Sequence, residues 1–343
     1  TKARNKEIIP CKTEEELLAK FLELFRDIDP DIIVGWNSDY FDVPYLYYRM
    51  CNVLGQDFAK HLSPIGYVRE TPWFKDQYIQ ICGVESLDYM RLHKKYSWAD
   101  EPSMRLDAIG EKYVGMNKIE YEGNLDDLYK TDIHKFMKYN FVDVEILKKL
   151  DEKLDYLALT KNLSHKGKHN YSEVYANTKT QDGAISAYLL GQNIIPPAKD
   201  KNPIFKKGYA GGYLFCPKAG LYKYMFDEDL TSLYPSIIMT INIGKETMVA
   251  RIIKKWFDER VLYKNKMQKA FKSGDKELGA AFHMKQYTMK ILLNSLYGAT
   301  ALGSFRYGNV ILSEAITLSG QRIIQESALC ANKHMNKVIK GEI

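Results

Sequence analysis

The chain has 343 residues, enough for two or three domains with sizeable cores. Its 27% charged and 45% hydrophobic content suit a soluble globular protein, and no apolar run reaches the roughly 20 residues of a bilayer span. With no signal-like start either, the composition argues against a membrane or exported protein, and a cytoplasmic location is expected. The 49 basic and 43 acidic residues leave a net charge of +6, which permits a nucleic-acid partner without demanding one. The five cysteines, Cys11, Cys51, Cys82, Cys216 and Cys330, are scattered and lack a C-x-x-C pair. They read as buried thiols rather than a disulfide framework or zinc ribbon.

From the N-terminus, Leu17, Leu18, Phe21, Leu22, Leu24 and Phe25 recur at helical spacing over Glu14 to Arg26, with Thr13 as N-cap and Asp29-Pro30 as the stop. Asp31-Ile-Ile-Val-Gly35 then reads as a short strand of the kind a sheet buries on both faces. The polar loop Trp36 to Asp42 leads into a helix with Pro44 near its first turn. A strand end, a polar loop and a helix start bring amides and carboxylates together, so Asp39 and Asp42 are both candidates for chemistry. A hairpin is expected around Gly66-Tyr-Val-Arg and Tyr78-Ile-Gln-Ile, joined by a loop containing Pro and Lys, with a further strand at Ser86 to Met90. Asp107 to Tyr113 and Asp132 to Asp155 read as helices. On the second, Tyr139 and Asp143 stand at i and i+4 on one face, a spacing equally suited to a solvated hydrogen-bonded pair or a site.

Leu163 to Asn170 is polar and basic and reads as a loop, and its His165 and His169 have no Cys or carboxylate neighbour to make a metal pair. Helical spacing returns over Thr180 to Leu190. Lys206-Lys-Gly-Tyr-Ala-Gly-Gly212 combines cations, an aromatic ring and glycines, which suits either a tight turn or close approach to phosphates. The apolar run Leu221 to Phe226 leads to Asp229-Leu-Thr-Ser-Leu-Tyr-Pro-Ser-Ile-Ile238. That arrangement puts a carboxylate where a strand would end and a turn at Tyr234-Pro235, suited to a metal site or to a capped strand-to-helix turn. Phe257 to Lys272 and Lys276 to Leu296 read as a helical hairpin about Ser273-Gly-Asp275. Arg260, Lys264 and Lys290 fall toward one end of it, either facing a common ligand or simply solvated. A last helix over 309 to 337 takes Ile311, Ala315, Ile316, Leu318, Ile323 and Ile324 as its apolar side.

The string DLTSLYPSII resembles the first palm motif of family B DNA polymerases, in particular the replicative enzymes of T-even-like bacteriophages. DPDIIVGWNSDYFDVPYL and YNFVDVEIL resemble the second and third exonuclease motifs, Tyr209-x-Gly-Gly212 the linker motif, and Lys290-Ile-Leu-Leu-Asn-Ser-Leu-Tyr-Gly298 the fingers motif. The resemblance implies α/β and α+β domains. These would be part of an RNase H-like 3'-5' exonuclease domain (1–175), a connector (176–228), palm (229–250), helical-hairpin fingers (251–300) and a palm helix (301–343).

The same resemblance makes Asp229, the Leu230 carbonyl, Asp42 and Asp143 ligands of Mg2+, two ions per site, with Tyr139 orienting the attacking water. It gives the Ser232 and Leu233 amides, Arg260, Lys264, Lys290 and Asn294 to the incoming dNTP, and Tyr297 with Gly298 to the nascent base pair. Tyr234 would lie under the deoxyribose and reject a 2'-hydroxyl. Tyr209, Gly211 and Gly212, with Asn37 and Phe41, would touch DNA. The expected partners are primer-template DNA and dNTPs, with a sliding clamp as a further partner. A two-cation site needs about four carboxylates, and Asp27 and Asp29 sit at a helix end. Both metal sites are therefore expected to be incomplete in this chain and to need a complementing C-terminal polymerase segment. The rival readings are a DNA- and dNTP-binding module and a stand-alone metal-dependent nuclease.

Overall fold

A computed structural model describes residues 8–73, 76–97, 100–199, 208–222, 225, 229–241 and 248–340, with backbone alone at 71–73 and 76–77. It is mostly helical and divides into two compact units, residues 1–160 with 170–175, and residues 161–169 with 176–343.

In the first unit α1 (Glu14–Ile28) starts where Thr13 Oγ1 accepts from the Glu16 amide at 3.2 Å, and three glutamates complement the positive end of the helix. It stops at Asp29, in the left-handed conformation at φ 46°. Leu18 and Leu22 pack into one core with Val43, Tyr47 and Met50 of α2 (Asp42–Leu54). Ala59 of the one-turn α3 (Gln56–Ala59), Leu62, Ile79 and Ile81 complete it. β1 (Ile32–Gly35) pairs in parallel with β4 (Glu85–Asp88), Gly35 opposite Asp88. All four residues of β1 are half-buried, where a strand buried on both faces was expected.

β2 (Val68–Trp73) and β3 (Asp76–Ile81) form the expected antiparallel hairpin. The strands run on through Thr71 to Trp73, and Pro72 is tolerated because an edge strand need not donate there. β4 ends at Asp88, which caps α4 (Tyr89–Tyr96), so Tyr89 and Met90 are helical rather than extended. A second apolar cluster joins α5 (Leu106–Val114) to α7 (Ile133–Leu154) through Ile109, Ile146 and Leu150. The short α6 (Leu125–Thr131) opens with a capping box between Asn124 and Asp127.

α8 (Tyr156–Gly167) continues through the stretch expected to be a loop, because Leu159, Thr160, Leu163 and Ser164 form one buried stripe at helical spacing. The His169 ring is bonded to Thr180 Oγ1 at 2.9 Å. α9 (Asn177–Leu190) lies on α12, where buried Gln181 donates to the Leu292 carbonyl at 2.9 Å and to Ser295 Oγ at 2.7 Å. α11 (Met248–Lys272) and α12 (Lys276–Thr300) make the predicted hairpin, turning at Gly274 with φ 83° and capped by Asp275. α11 begins before Phe257 because Val249, Ile252, Ile253 and Trp256 continue its buried face.

The strand expected before Asp229 is not present among the described residues. Leu221, Tyr222 and Met225 are exposed, and residues 223–224 and 226–228 lie outside the described ones. Phe226, Lys206 and Lys207 lie outside the described residues. α10 (Leu233–Thr240) contains Tyr234 and Pro235, which were expected to turn the chain. Proline fits there because the amides of a helix's first turn have no internal acceptor to lose.

α13 (Val310–Ile339) buries Leu312, Ser313, Ile316, Thr317 and Gly320, whereas Ile311, Leu318 and Ile323 are exposed. The inward face combines Leu312 and Ile316 with small and hydroxyl side chains, and Ser313 returns its hydroxyl to the Asn309 carbonyl. The cysteines are free, with Cys216 and Cys330 exposed and the other three half-buried, which corrects the reading of them as buried thiols. No helix among the described residues is long and apolar enough to cross a membrane.

Gly183 of α9 meets the end of α8 so closely that a Cβ there would lie 1.7 Å from the Gly167 carbonyl oxygen. Gly183→Ala is expected to cost roughly 3 kcal/mol, read as a lower urea midpoint, because backbone cannot give way as a side chain does.

Candidate functional site

In the first unit the loop after β1 is fixed by a buried acid. Asp88, the N-cap of α4, accepts from the amides of Asn37 at 3.0 Å, Asp39 at 3.4 Å and Met90 at 3.0 Å. Burial and the nearby Asp39 push the Asp88 pKa up, partly offset by those amides. Asn37 has φ 65°, and its carbonyl accepts from Tyr40 and Phe41, closing the turn that delivers Asp42 to the start of α2. Asp39, a candidate for chemistry by position, is turned inward. Its carboxylate accepts from Ser86 Oγ at 2.6 Å and from Arg91, whose guanidinium lies 3.8 Å from the Tyr175 ring centroid. A fully buried and paired carboxylate is a structural group, so Asp39 leaves the list of candidate ligands.

Asp42 sits at the surface end of this turn, and its pKa is raised by the protein crowding it, against the pull of its own amide and of Lys118. Lys118, in the segment after α5, also reaches α7. Its Nζ donates to Asp143 Oδ2 at 2.6 Å and to the Tyr139 hydroxyl at 3.1 Å. Burial would lower the Lys118 pKa, but those two bonds outweigh it and hold the ammonium charged. Asp143 Oδ1 is buried with no partner among the described residues. Tyr139 and Asp143 thus share one cation, whose charge is also felt at Asp42. Lys118 escaped the sequence reading because a lone lysine between helices has no periodicity to mark it. Phe41, 63% exposed, stacks on the equally exposed Tyr45 with centroids 6.1 Å apart, leaving an open aromatic face beside Asp42.

In the second unit the DLTSLYPSII segment is gripped by three helices. Asp229 and Leu230 are exposed, and Ser232 precedes α10 in the left-handed conformation at φ 56°. Arg260 Nη1 of α11 donates to Ser232 Oγ at 2.9 Å. The Arg260 Nε is buried without a partner, and desolvation lowers the pKa of the group. Tyr234 packs on Tyr297 of α12 with ring centroids 4.5 Å apart. A Cβ on Gly320 of α13 would lie 3.2 Å from the Tyr234 ring, and one on Gly212 would lie 3.4 Å from its hydroxyl. The Tyr209 hydroxyl meets that of Tyr297 at 3.2 Å, and burial pushes the Tyr297 phenol far up.

Two α13 side chains that the sequence reading passed over hold the glycine segment. Thr317 Oγ1 donates to the Ala210 carbonyl at 2.7 Å and Gln321 Nε2 to that of Gly211 at 2.6 Å. Lys264 and Asn294 are exposed and Lys290 is half-buried on the same hairpin. Neither Asp229 nor the Asp42–Asp143 pair belongs to a group of three metal-ligating side chains among the described residues.

The family model for DNA polymerase family B matches residues 171–251 and 244–342, and the one for its exonuclease domain matches residues 1–109. The chain belongs to DNA polymerase family B. It is 28% identical to the DNA-directed DNA polymerase of Escherichia phage RB69, over 97% of this chain and 47% of that protein. It is 26% identical to the enzyme of Enterobacteria phage T4 over 96% of this chain, and 24% identical to a DNA polymerase of Pyrococcus glycovorans over 91%. The chain spans about half the length of the curated relatives it matches.

Two measurements on this family B chain test the geometry of its first unit. Arg91→Met strands the Asp39 carboxylate and is expected to cost about 3 kcal/mol or more in urea unfolding, most of it recovered in the Asp39→Leu/Arg91→Met double variant. In carboxyl NMR titrations Asp42 should titrate above the ordinary carboxylate range, and higher still in Lys118→Met. With its folded pKa above the unfolded value, Asp42 adds stability that is full at low pH and lost as pH rises through its midpoint.

Proposed function

We propose that the chain is part of a template-directed DNA polymerase that adds dNTPs to a primer, with an associated 3'-5' excision site. The contact of Tyr234 with Tyr297 carries the reading of the second unit, because it joins the DLTSLYPSII segment to the hairpin helix bearing Lys290, Asn294 and Gly298. In this reading 229–250 and 301–343 belong to a palm, 251–300 are the fingers, 176–228 connect, and 1–175 are part of an RNase H-like exonuclease domain.

The dNTP triphosphate is received by the first amides of α10, free at a helix start, and by Arg260, Lys264 and Lys290, with Asn294 positioning it. The Tyr234 ring, backed by Gly320 and Tyr297, is a floor that cannot retreat from a ribose 2'-hydroxyl. Tyr297 and Gly298 face the nascent base pair, and Tyr209, Gly211 and Gly212 face template. At the excision site Asn37 and Phe41 receive the DNA end and Tyr139 orients the attacking water.

The donor chemistry suits divalent cations, Mg2+ being the ion proposed. Asp143 Oδ1 is buried without a partner, and Asp229 with the Leu230 carbonyl offers hard oxygen donors at the surface. Asp42 and Asp143 would hold the ions of one site, Asp229 and Leu230 those of the other, with the remaining ligands supplied from outside the described residues. When bound, two such ions activate the attacking oxygen and neutralise charge on the transferring phosphoryl group. The proposed partners are primer-template DNA, dNTPs, a complementing C-terminal segment and a sliding clamp. The names of the relatives, DNA-directed DNA polymerases, support the same assignment.

Primer extension with Mg2+, with and without a second polypeptide supplying further carboxylates, tests the reading. DNA binding should fall steeply with salt, and extension should require the supplement and disappear in Asp229→Asn. Tyr234→Ala should raise ribonucleotide incorporation at least tenfold relative to dNTP, about 1.4 kcal/mol of lost discrimination. An unchanged ratio would remove the role assigned to that ring.

A further inference from the structure

Ser232 adopts a backbone conformation that suits glycine better than serine, with φ 56° and ψ 46°. The usual service of a serine at this place is to cap the helix it precedes, yet its side chain makes no bond to the first amides of α10. The hydroxyl is bonded to Arg260 instead, at 2.9 Å. No carboxylate among the described residues pairs with Arg260, and its Nε is buried and unpartnered. Among the described residues the guanidinium is thus fixed at one corner by a neutral oxygen, with no partner for its remaining donors.

We propose that the Ser232 hydroxyl is a positioning group for triphosphate, holding Arg260 in the plane from which its other N–H groups meet phosphate oxygens. This deepens the polymerase reading and rests on it. A guanidinium recognises phosphate through a flat fork, so its plane matters as much as its charge. Held by one corner beforehand, a long side chain has less freedom to lose on binding. A carboxylate in place of the hydroxyl would hold Arg260 more tightly but would compete with the phosphate and repel it. The serine thus has a use where the backbone alone would favour glycine.

Calorimetric titration of the full chain with inorganic tripolyphosphate tests the assignment. Ser232→Gly keeps the left-handed backbone without strain, so its melting temperature should not fall, while tripolyphosphate should bind about fivefold more weakly. Ser232→Asn tolerates the same backbone and keeps an acceptor oxygen, and should retain most of the affinity. Arg260→Met should bind weakly, and adding Ser232→Gly to it should cause no further loss, because the hydroxyl acts only through the arginine. Unchanged affinity in Ser232→Gly, or losses that multiply in the double variant, would overturn the role of Ser232 alone. No tripolyphosphate binding by the parent chain would overturn the triphosphate site and this role with it.

Discussion

The carboxylate of Asp88 is the fixed point of the first unit, because one buried acid must satisfy itself and in doing so ties three elements together. It has no exposed surface, so its oxygens need donors, and they find them in the amides of the 36–41 loop and the first turn of α4. That solution joins β4 to the turn after β1 through Gly35 and Asn37, and so decides where Asp42 emerges. Asp39 then falls inside the unit and must be neutralised, which Arg91 does while stacked on Tyr175. Two acids three residues apart in sequence consequently have opposite fates, one as internal scaffold and one at the surface beside Lys118. The placement of amides around Asp88 separates them, not any difference in residue type.

The second unit handles buried charge differently. Arg260 is left partly uncompensated, bonded to a hydroxyl and otherwise merely desolvated. Asp88 and Asp39 are closed internal systems with every oxygen engaged, whereas Arg260 keeps its Nε without a partner among the described residues. In the first unit Asp143 likewise keeps one oxygen without a partner among the described residues. Groups that complete their bonds within the fold hold the fold.

Much of this was legible in the chain. α1, α2, α7, α9 and the α11–α12 hairpin followed from apolar spacing and caps, since one buried face leaves a regular signal. The faults have local causes. Tyr234-Pro235 was read as a turn because proline's disfavour inside a helix is stronger than the exemption of its first turn. The apolar side of α13 was only partly placed: Ile316 is buried as expected, but Ser313, Thr317 and Gly320 share its face, Gly320 allowing close approach to Tyr234, while Ile311, Leu318 and Ile323 stay outside. The strand expected before Asp229 falls largely on residues 223–224 and 226–228, outside the described ones. Lys118, Thr317 and Gln321 act through long-range contacts that leave no trace in spacing. The site residues that could be named were those inside whole strings matching a family, and single residues outside such strings were not.

The glycines of the second unit separate what the fold requires from what it does not. Gly183, Gly279 and Gly320 are crowded, so a Cβ on any of them would press on the Gly167 carbonyl, the Phe271 ring or the Tyr234 ring. Packing alone accounts for these. Gly211 and Gly298 have no positive φ and nothing within 4 Å of a Cβ position, and Gly298 lies in the last turn of α12. Neither backbone geometry nor internal packing asks for a bare Cα at either place. Both stand beside the Tyr209–Tyr297 contact, Gly211 with its carbonyl bonded to Gln321 and Gly298 one residue after Tyr297.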